Sequence, residues 1–513
     1  MDRASSEIQT VLVETAMGKL AGLRKADVLS FRGVPFAQPP VGRRRWRMAE
    51  PAAPWIGIRD ATRFASVCPQ SAIPLEALTG GISTEHSEDC LYLNVWTPAC
   101  DGTRRPVMVW IHGGGFVIGA GSQAIYSGAR LAERDVVVVT INYRLGAFGF
   151  LDWSQATASR LPGAGTEGLG DQILALDWVK RNISAFGGDP DNVTIFGESA
   201  GGMSVGALLA SPIARGLFHK AVAQSGAAHI GFDRERSARV ARAMLDALGL
   251  DAAQASRLSE APADAIHKAQ HVVLTRARNG NLRKVGPLPF QPVIDDALLS
   301  QRPIEAVGAG SAAGIPILAG TTRDEWKLFT AADPRLRLMT AAGLRMRVKS
   351  LARDAAPELL DSYPAGSPFD RFNAIMTDKS FTLPAIALLK AQGQCAPVYA
   401  YRFDWRSPLL GGIMGACHAL ELGFVFGTHA QKLASVFFGI GTAAAQLATT
   451  MMDCWSAFAR TGYPATAATG HWPRYNAESQ VMIFGDGEPH LDRVHDAALQ
   501  RGWHLIPEHK LGP

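Results

Sequence analysis

The sequence lacks the features that would direct it to a membrane, a nucleic acid or a metal. In 513 residues no apolar run reaches the roughly 20 residues that a spanning helix needs. The longest, Val436 to Met452, is interrupted by Thr442, Gln446, Thr449 and Thr450 and reads as a buried core helix. The opening stretch, MDRASSEIQTVLVETAMGKLAGL, has neither a signal-like apolar core nor a cleavage signal, so no secretory peptide is expected. The sequons Asn182-Ile-Ser and Asn192-Val-Thr then read as chance matches. Charge is sparse and nearly balanced, with 51 basic and 46 acidic residues and a net +5, too dilute to argue for nucleic acid. The one dense basic run, Arg43, Arg44, Arg45 and Arg47, is broken by Trp46 and reads as a solvated patch. The six cysteines show no CxxC spacing, and neither HExxH nor a His/Cys cluster occurs, so no metal is expected. There are no repeats, low-complexity segments or Ser/Pro linkers. Apolar residues are plentiful at 47%, enough for a large core, which excludes disordered and fibrous classes. A cytoplasmic protein without membrane or nucleic-acid partners is expected, as a monomer or homodimer.

The pattern of apolar residues gives the fold class. The first 60 residues alternate in short runs punctuated by Pro and Gly, which predicts an antiparallel meander. From residue 91 the runs become continuous and β-branched: Leu91 to Trp96, Val107 to Ile111, Val136 to Ile141. Strands buried on both faces have this composition, so a mostly parallel central sheet is expected. Asp171 to Phe186 has helical spacing, with Ile173, Leu176, Val179 and Ile183 on one face and Lys180 as a polar exception. Val193 to Phe196 is a further strand, followed by a Gly-rich turn and an Ala/Leu-rich helix. This order implies an α/β fold. Residues of about 230–290 and 335–395 read as helical insertions covering one edge of the sheet, within a single domain spanning 1–513.

One constellation carries chemistry. Gly197-Glu198-Ser199-Ala200-Gly201 is a GxSxG between a strand and a helix. A serine on so tight a turn needs small neighbours, and a helix N-terminus behind it favours developing negative charge. His112-Gly113-Gly114-Gly115-Phe116 follows the strand ending at Ile111. Its backbone N–H groups, with that of Ala200, can form an oxyanion hole. A nucleophilic serine also needs a base and an orienting acid, in the chain order Ser, acid, His. Histidines before Ser199 fail that order. His219, His229, His267 and His271 leave little room for an acid-bearing strand in between. His418, in a loop bracketed by Gly415 and Gly427, is the expected base, whereas His429 and the tail histidines read as ordinary polar positions. For the acid, the strand Ile315 to Gly320 runs into Asp324-Glu325, leaving two candidates; Asp295 and Asp296 are rivals that could equally cap a turn. Glu198 and Glu421, beside the nucleophile and base, either tune the site electrostatically or satisfy hydrogen bonds. The literal GxGxxG at 163–168 follows a polar loop rather than a strand, so no dinucleotide site is expected.

Taken together, the segments 31–42 (FRGVPFAQPPVG), 87–96 (SEDCLYLNVW), 107–119 (VMVWIHGGGFVIG), 142–151 (NYRLGAFGFL), 168–202, 224–226 (QSG), 320–325 (GTTRDE) and 418–427 (HALELGFVFG) resemble the type B carboxylesterases, the family that includes the cholinesterases. The resemblance spans nearly the whole chain. It implies an α/β-hydrolase fold, the acid at Glu325, and oxyanion donors at Gly114, Gly115 and Ala200. Two departures stand out. Trp326 follows the acid where the family usually has glycine, which would narrow the acyl pocket or reshape its entrance. The family also often joins the cysteines matching Cys68 and Cys90, which in a cytoplasmic protein are expected reduced. The loop between them has no Trp, Tyr or Phe, although the cholinesterases carry a cation-binding tryptophan there.

The expected activity is a cofactor-independent serine esterase acting on small, neutral esters of short to medium acyl length, with Ser199, Glu325 and His418 as its triad. An amidase or carbamate hydrolase using the same triad is the alternative. A non-catalytic binding module is disfavoured because both Ser199 and His418 are present.

Overall fold

A computed structural model describes residues 8–72, 81, 85–282, 285–476, 478, 480–506 and 511. The N-terminal runs form β1 (Gln9–Thr15), β2 (Gly18–Lys25) and β3 (Val28–Pro35), an antiparallel meander as expected. β4 (Ile58–Asp60) adds to β2. Then follow β5 (Tyr92–Thr97), β6 (Arg105–Ile111), β7 (Val137–Ile141), β8 (Gly188–Glu198), β9 (Lys220–Gln224), β10 (Ile317–Thr322), β11 (Val398–Phe403), β12 (Val481–Phe484) and β13 (His490–Asp492). Among the described residues these make one sheet in the order β1-β2-β3-β5-β7-β6-β8-β9-β10-β11-β12-β13. From β7 to β12 every neighbouring pair is parallel. One strand departs from the sequence reading: β5, apolar and buried, runs antiparallel to both β3 and β7. Burial on both faces fixes composition but not direction, so its residues could not reveal this.

Side chains along β6 alternate between two cores. Val107, Val109 and Ile111 join one, Met108 and Trp110 the other, as the period of two demands. The first core is roofed by α1 (Glu167–Asn182) and α2 (Ala200–Ala210), and by α3 (Arg234–Ala247) and α4 (Ala263–Arg278) from the first helical stretch. On the other face Trp110 packs against Tyr126, Phe196 and Phe426 with ring centroids about 5 Å apart. Burying aromatics of this size stabilises the fold by about 1.5–3 kcal/mol each. The second helical stretch includes α5 (Ala341–Ala352), α6 (Pro368–Thr377) and α7 (Leu383–Gln392), and it closes a third, smaller core with Trp503.

Two local readings are corrected. The apolar run at 436–452 is not one helix. It breaks at Gly439 (φ 84°) and Gly441 (φ 114°), and α8 (Thr442–Thr461) begins beyond the break. Arg45 is not solvated: it is buried, paired with Glu88, and donates to the carbonyls of Leu258 and Ala261. No helix among the described residues is long and apolar enough to cross a membrane.

Candidate active site

Strands β6, β8 and β10 deliver their C-terminal ends to one edge of the sheet, where ligands of such folds bind. Ile111 pairs with Gly197, which sets the His112–Gly115 loop beside the GxSxG turn. Ser199 holds φ 57° and ψ −124°, between β8 and the first residue of α2. A non-glycine residue in such a conformation costs on the order of 1–3 kcal/mol and persists only where its surroundings enforce it. The Ser199 N–H donates to Gln224 O (2.9 Å) and its carbonyl accepts from Met203 (2.9 Å), so the turn is tied at both ends. The flanking glycines are steric necessities. A Cβ at Gly201 would stand 2.0 Å from Ile111 O, and one at Gly197 would stand 2.5 Å from the Gly201 carbonyl.

In the neighbouring loop Gly114 has φ 107° and Gly115 φ 61°. A Cβ at Gly114 would stand 2.3 Å from Ile118 O. Among the described residues the Gly114 and Gly115 N–H groups find no acceptor within the chain. Ala200 opens α2, where amides have no intrahelical partner.

The carboxylate–imidazole pair comes from the C-terminal half. Glu325 is fully buried just after β10. Its Oε1 accepts the Thr322 N–H at 2.8 Å and its Oε2 lies 2.7 Å from His418 Nδ1. Asp324 points elsewhere: Oδ2 accepts the Ala416 N–H at 3.0 Å, and Lys327 Nζ lies 3.4 Å from Oδ1. It therefore ties down the loop that carries His418. Asp295 caps a turn, accepting from the amides of Ala297, Leu298 and Leu299. Glu325 is thus the candidate in contact with His418.

Glu198 touches the His418 ring directly. Its Oε1 is 3.0 Å from His418 Nε2, so buried carboxylates face both ring nitrogens. Burial alone would lower the His418 pKa, but Glu198 and Glu325 outweigh it and raise it to about 9. Burial also raises Glu198 and Glu421 above the usual carboxylate range. Glu421 is held by Gln224, which in turn accepts from Trp455.

Several residues at the site carry no motif. Phe381 and Phe329 pack on the His418 ring, with centroids 4.8 and 5.3 Å away. The Trp326 ring lies against both, 5.1 Å from Phe329 and 6.3 Å from Phe381, and the Trp326 backbone N–H donates to Thr377 Oγ1. Trp326 was visible in the sequence as a departure from the family pattern. Phe381 sits in a π-helical turn at 378–382 that only tertiary structure discloses. Such turns are frequent at functional sites. The GxGxxG segment offers no phosphate cradle, because Glu167 itself accepts the N–H groups of Ala164 and Gly165. Asn182 of the first sequon is buried and donates to Trp178 O. His429 and His495 are also buried rather than surface-polar; His429 stacks on Phe424 and His495 bonds Tyr475. Among the described residues no cluster of three His, Cys, Asp or Glu could hold a metal. Residues 73–80 and 82–84 of the loop between Cys68 and Cys90 lie outside the described residues.

A mostly parallel sheet with a serine on a strained strand-to-helix turn, and a carboxylate–imidazole pair carried on later segments of the chain, is the arrangement of the α/β-hydrolase class. Within that class the chain belongs to the carboxylesterase family, whose model matches residues 9–495. It is 41% identical over 483 residues to a para-nitrobenzyl esterase of Bacillus subtilis, covering 93% of this chain and 95% of that protein. A phenmedipham hydrolase of Pseudarthrobacter oxydans is 35% identical, covering 93% and 95%. Among solved structures, a para-nitrobenzyl esterase superposes with a TM-score of 0.85 at 39% identity, covering 97% of this chain and 99% of that one. A Geobacillus stearothermophilus carboxylesterase superposes at 0.83 and 38% identity, covering 95% and 100%. The protein is an ester hydrolase of this family.

Proposed function

We propose that hydrolysis proceeds through an acyl-enzyme on Ser199. Ser199 Oγ adds to the ester carbonyl and its proton passes to His418. Glu325 holds the imidazole by Nδ1 and stabilises the imidazolium. The N–H groups of Gly114, Gly115 and Ala200 take the charge of the tetrahedral oxyanion. His418 then protonates the departing alcohol and activates the water that frees the acid. The observation that carries this reading is the 2.7 Å contact between His418 and Glu325 at the edge where Ser199 sits.

The substrates proposed are neutral esters of short to medium acyl length. The likeness to a phenmedipham hydrolase favours a second reading, in which amides or carbamates are also cleaved. The leaving-group pocket decides between them. A panel of esters, amides and carbamates of graded acyl length tests both. Esters are expected to have the highest kcat/KM, and a carbamate or amide outrunning its matched ester would reverse the assignment. The proposed location is cytoplasmic, where Cys68 and Cys90 would stay reduced.

A further inference from the structure

We propose that His112 is a positioning residue: it turns the Gly113–Gly114 peptide so that the Gly114 N–H points toward the reacting oxygen. This rests on the reading of Gly114 as an oxyanion donor. His112 is buried, and its ring stacks on Tyr143 with centroids 4.4 Å apart and planes 17° apart. Its Nδ1 lies 2.9 Å from Gly113 O. A carbonyl only accepts, so Nδ1 carries the proton. Burial holds the pKa down at about 4, so the ring is neutral across the working range.

The consequence follows from the peptide plane. In a trans peptide the C=O and the next N–H point in opposite directions. With Gly113 O drawn back to the imidazole, the Gly114 N–H faces the other side of a loop that abuts Ser199. A Cβ on Gly113 would stand 3.0 Å from Ser199 Cβ. The backbone that carries the imidazole is itself held, because Tyr143 OH donates to the His112 main-chain carbonyl at 2.7 Å. At the far end of the loop Gln70 grips Gly119 with both arms of its amide. Its Oε1 accepts the Gly119 N–H at 2.6 Å and its Nε2 donates to the Gly119 carbonyl at 3.0 Å. Gly119 must be glycine for the imidazole–carbonyl bond to exist, since a Cβ there would stand 2.4 Å from His112 Nδ1 and 2.5 Å from Gly113 O. His112 Nε2 has no protein partner among the described residues.

The test uses two ketones of the same skeleton. In the trifluoromethyl ketone, Ser199 Oγ adds to the carbonyl carbon, the C=O π pair moves to oxygen, and the serine proton passes to His418, leaving a tetrahedral oxyanion. The methyl ketone binds without appreciable addition. His112→Phe keeps a flat ring against Tyr143 and removes the donor; His112→Asn keeps a donor near the Nδ1 position. Complete loss of one oxyanion donor costs about 10²–10³ in kcat. For a misdirected donor in His112→Phe, about a 10–100-fold fall in kcat is expected, with KM within about twofold and trifluoromethyl ketone affinity lost by the same factor. Methyl ketone binding and the shape of the kcat–pH profile should stay as in the wild type, and His112→Asn should recover part of the loss. Tyr143→Phe, which removes only the hydroxyl, should give a smaller fall of the same kind, so the idea stays testable if His112→Phe does not fold. Wild-type kcat and trifluoromethyl ketone affinity in the variants would overturn the proposal, as would a loss confined to KM or a missing limb of the pH profile. If the wild type itself binds both ketones equally, the oxyanion reading of Gly114 fails first.

Discussion

The two halves of the site are built differently. The half proposed to supply the nucleophile is local: Ser199 and the 112–119 loop extend directly from β8 and β6, which lie side by side with Ile111 opposite Gly197. The acid–base half joins Glu325 to His418 across 93 positions of sequence. Steric necessity governs the first half, where Gly197, Gly201 and Gly114 leave no room for a Cβ. Charge governs the second, where two buried carboxylates, Glu198 and Glu325, flank one imidazole. A close-packed turn therefore shows itself as a motif, whereas a charge pair shows itself only when the chain is folded.

Substitutions can break this contrast, beginning with the most severe. Ser199→Ala removes the proposed nucleophile and should cut kcat by about 10⁴-fold or more, leaving what binding and the proposed oxyanion hole supply. Retention of more than about a tenth of wild-type ester hydrolysis would show that another group attacks. On the acid–base side, Glu325→Gln should lower kcat by about 10²–10⁴ through loss of the charge that orients His418. Asp324→Asn should instead loosen the 415–416 loop, lowering the thermal midpoint with a smaller kinetic effect, because Asp324 holds Ala416 and not the imidazole. The reverse order in folded variants would move the acid to Asp324.

Glu198→Gln sharpens the comparison through pH. In the proposed mechanism His418 must be neutral to accept the serine proton, and the Glu198 carboxylate helps hold His418 up at about 9. Removing that charge lowers the imidazole pKa, so the acidic limb of kcat/KM should move to lower pH, by about one unit. A shift to higher pH would mean that Glu198 does not act on His418 by charge. The smallest effect concerns substrate charge. The loop at 69–89 has no aromatic residue, so acetylcholine and its uncharged isostere 3,3-dimethylbutyl acetate should show similar kcat/KM. A ratio above about 10, roughly 1.4 kcal/mol, would reveal a cation site.

The contrast also explains what was legible in the sequence. The meander, the continuous strands β6 and β7 and the helix α1 follow from periodicity alone. Helix α1 nonetheless begins at Glu167 rather than Asp171, and Glu167 accepts the N–H groups of Ala164 and Gly165 in the turn before it. The direction of β5 was not legible, since burial on both faces is the same in either arrangement, whereas the glycines at 439 and 441 did mark the break inside the apolar run. At the site, GxSxG and the glycine loop were readable from steric need. Asp324 and Glu325 could not be separated by composition, and the resemblance to a family was needed to choose. The aromatic wall of Trp326, Phe329 and Phe381 had no motif, because it forms only where a turn of π-helix meets the His418 loop.

The central claim is that Ser199 is made reactive by a pair assembled from distant sequence. The most direct measurement is the rate and position of covalent labelling by a fluorophosphonate, read by peptide mass spectrometry in the wild type, Ser199→Ala and Glu325→Gln. A single label on the peptide carrying Ser199 is expected, with none in Ser199→Ala and a labelling rate at least about 10²-fold slower in Glu325→Gln. Label on a different residue, or an undiminished rate in Glu325→Gln, would contradict it.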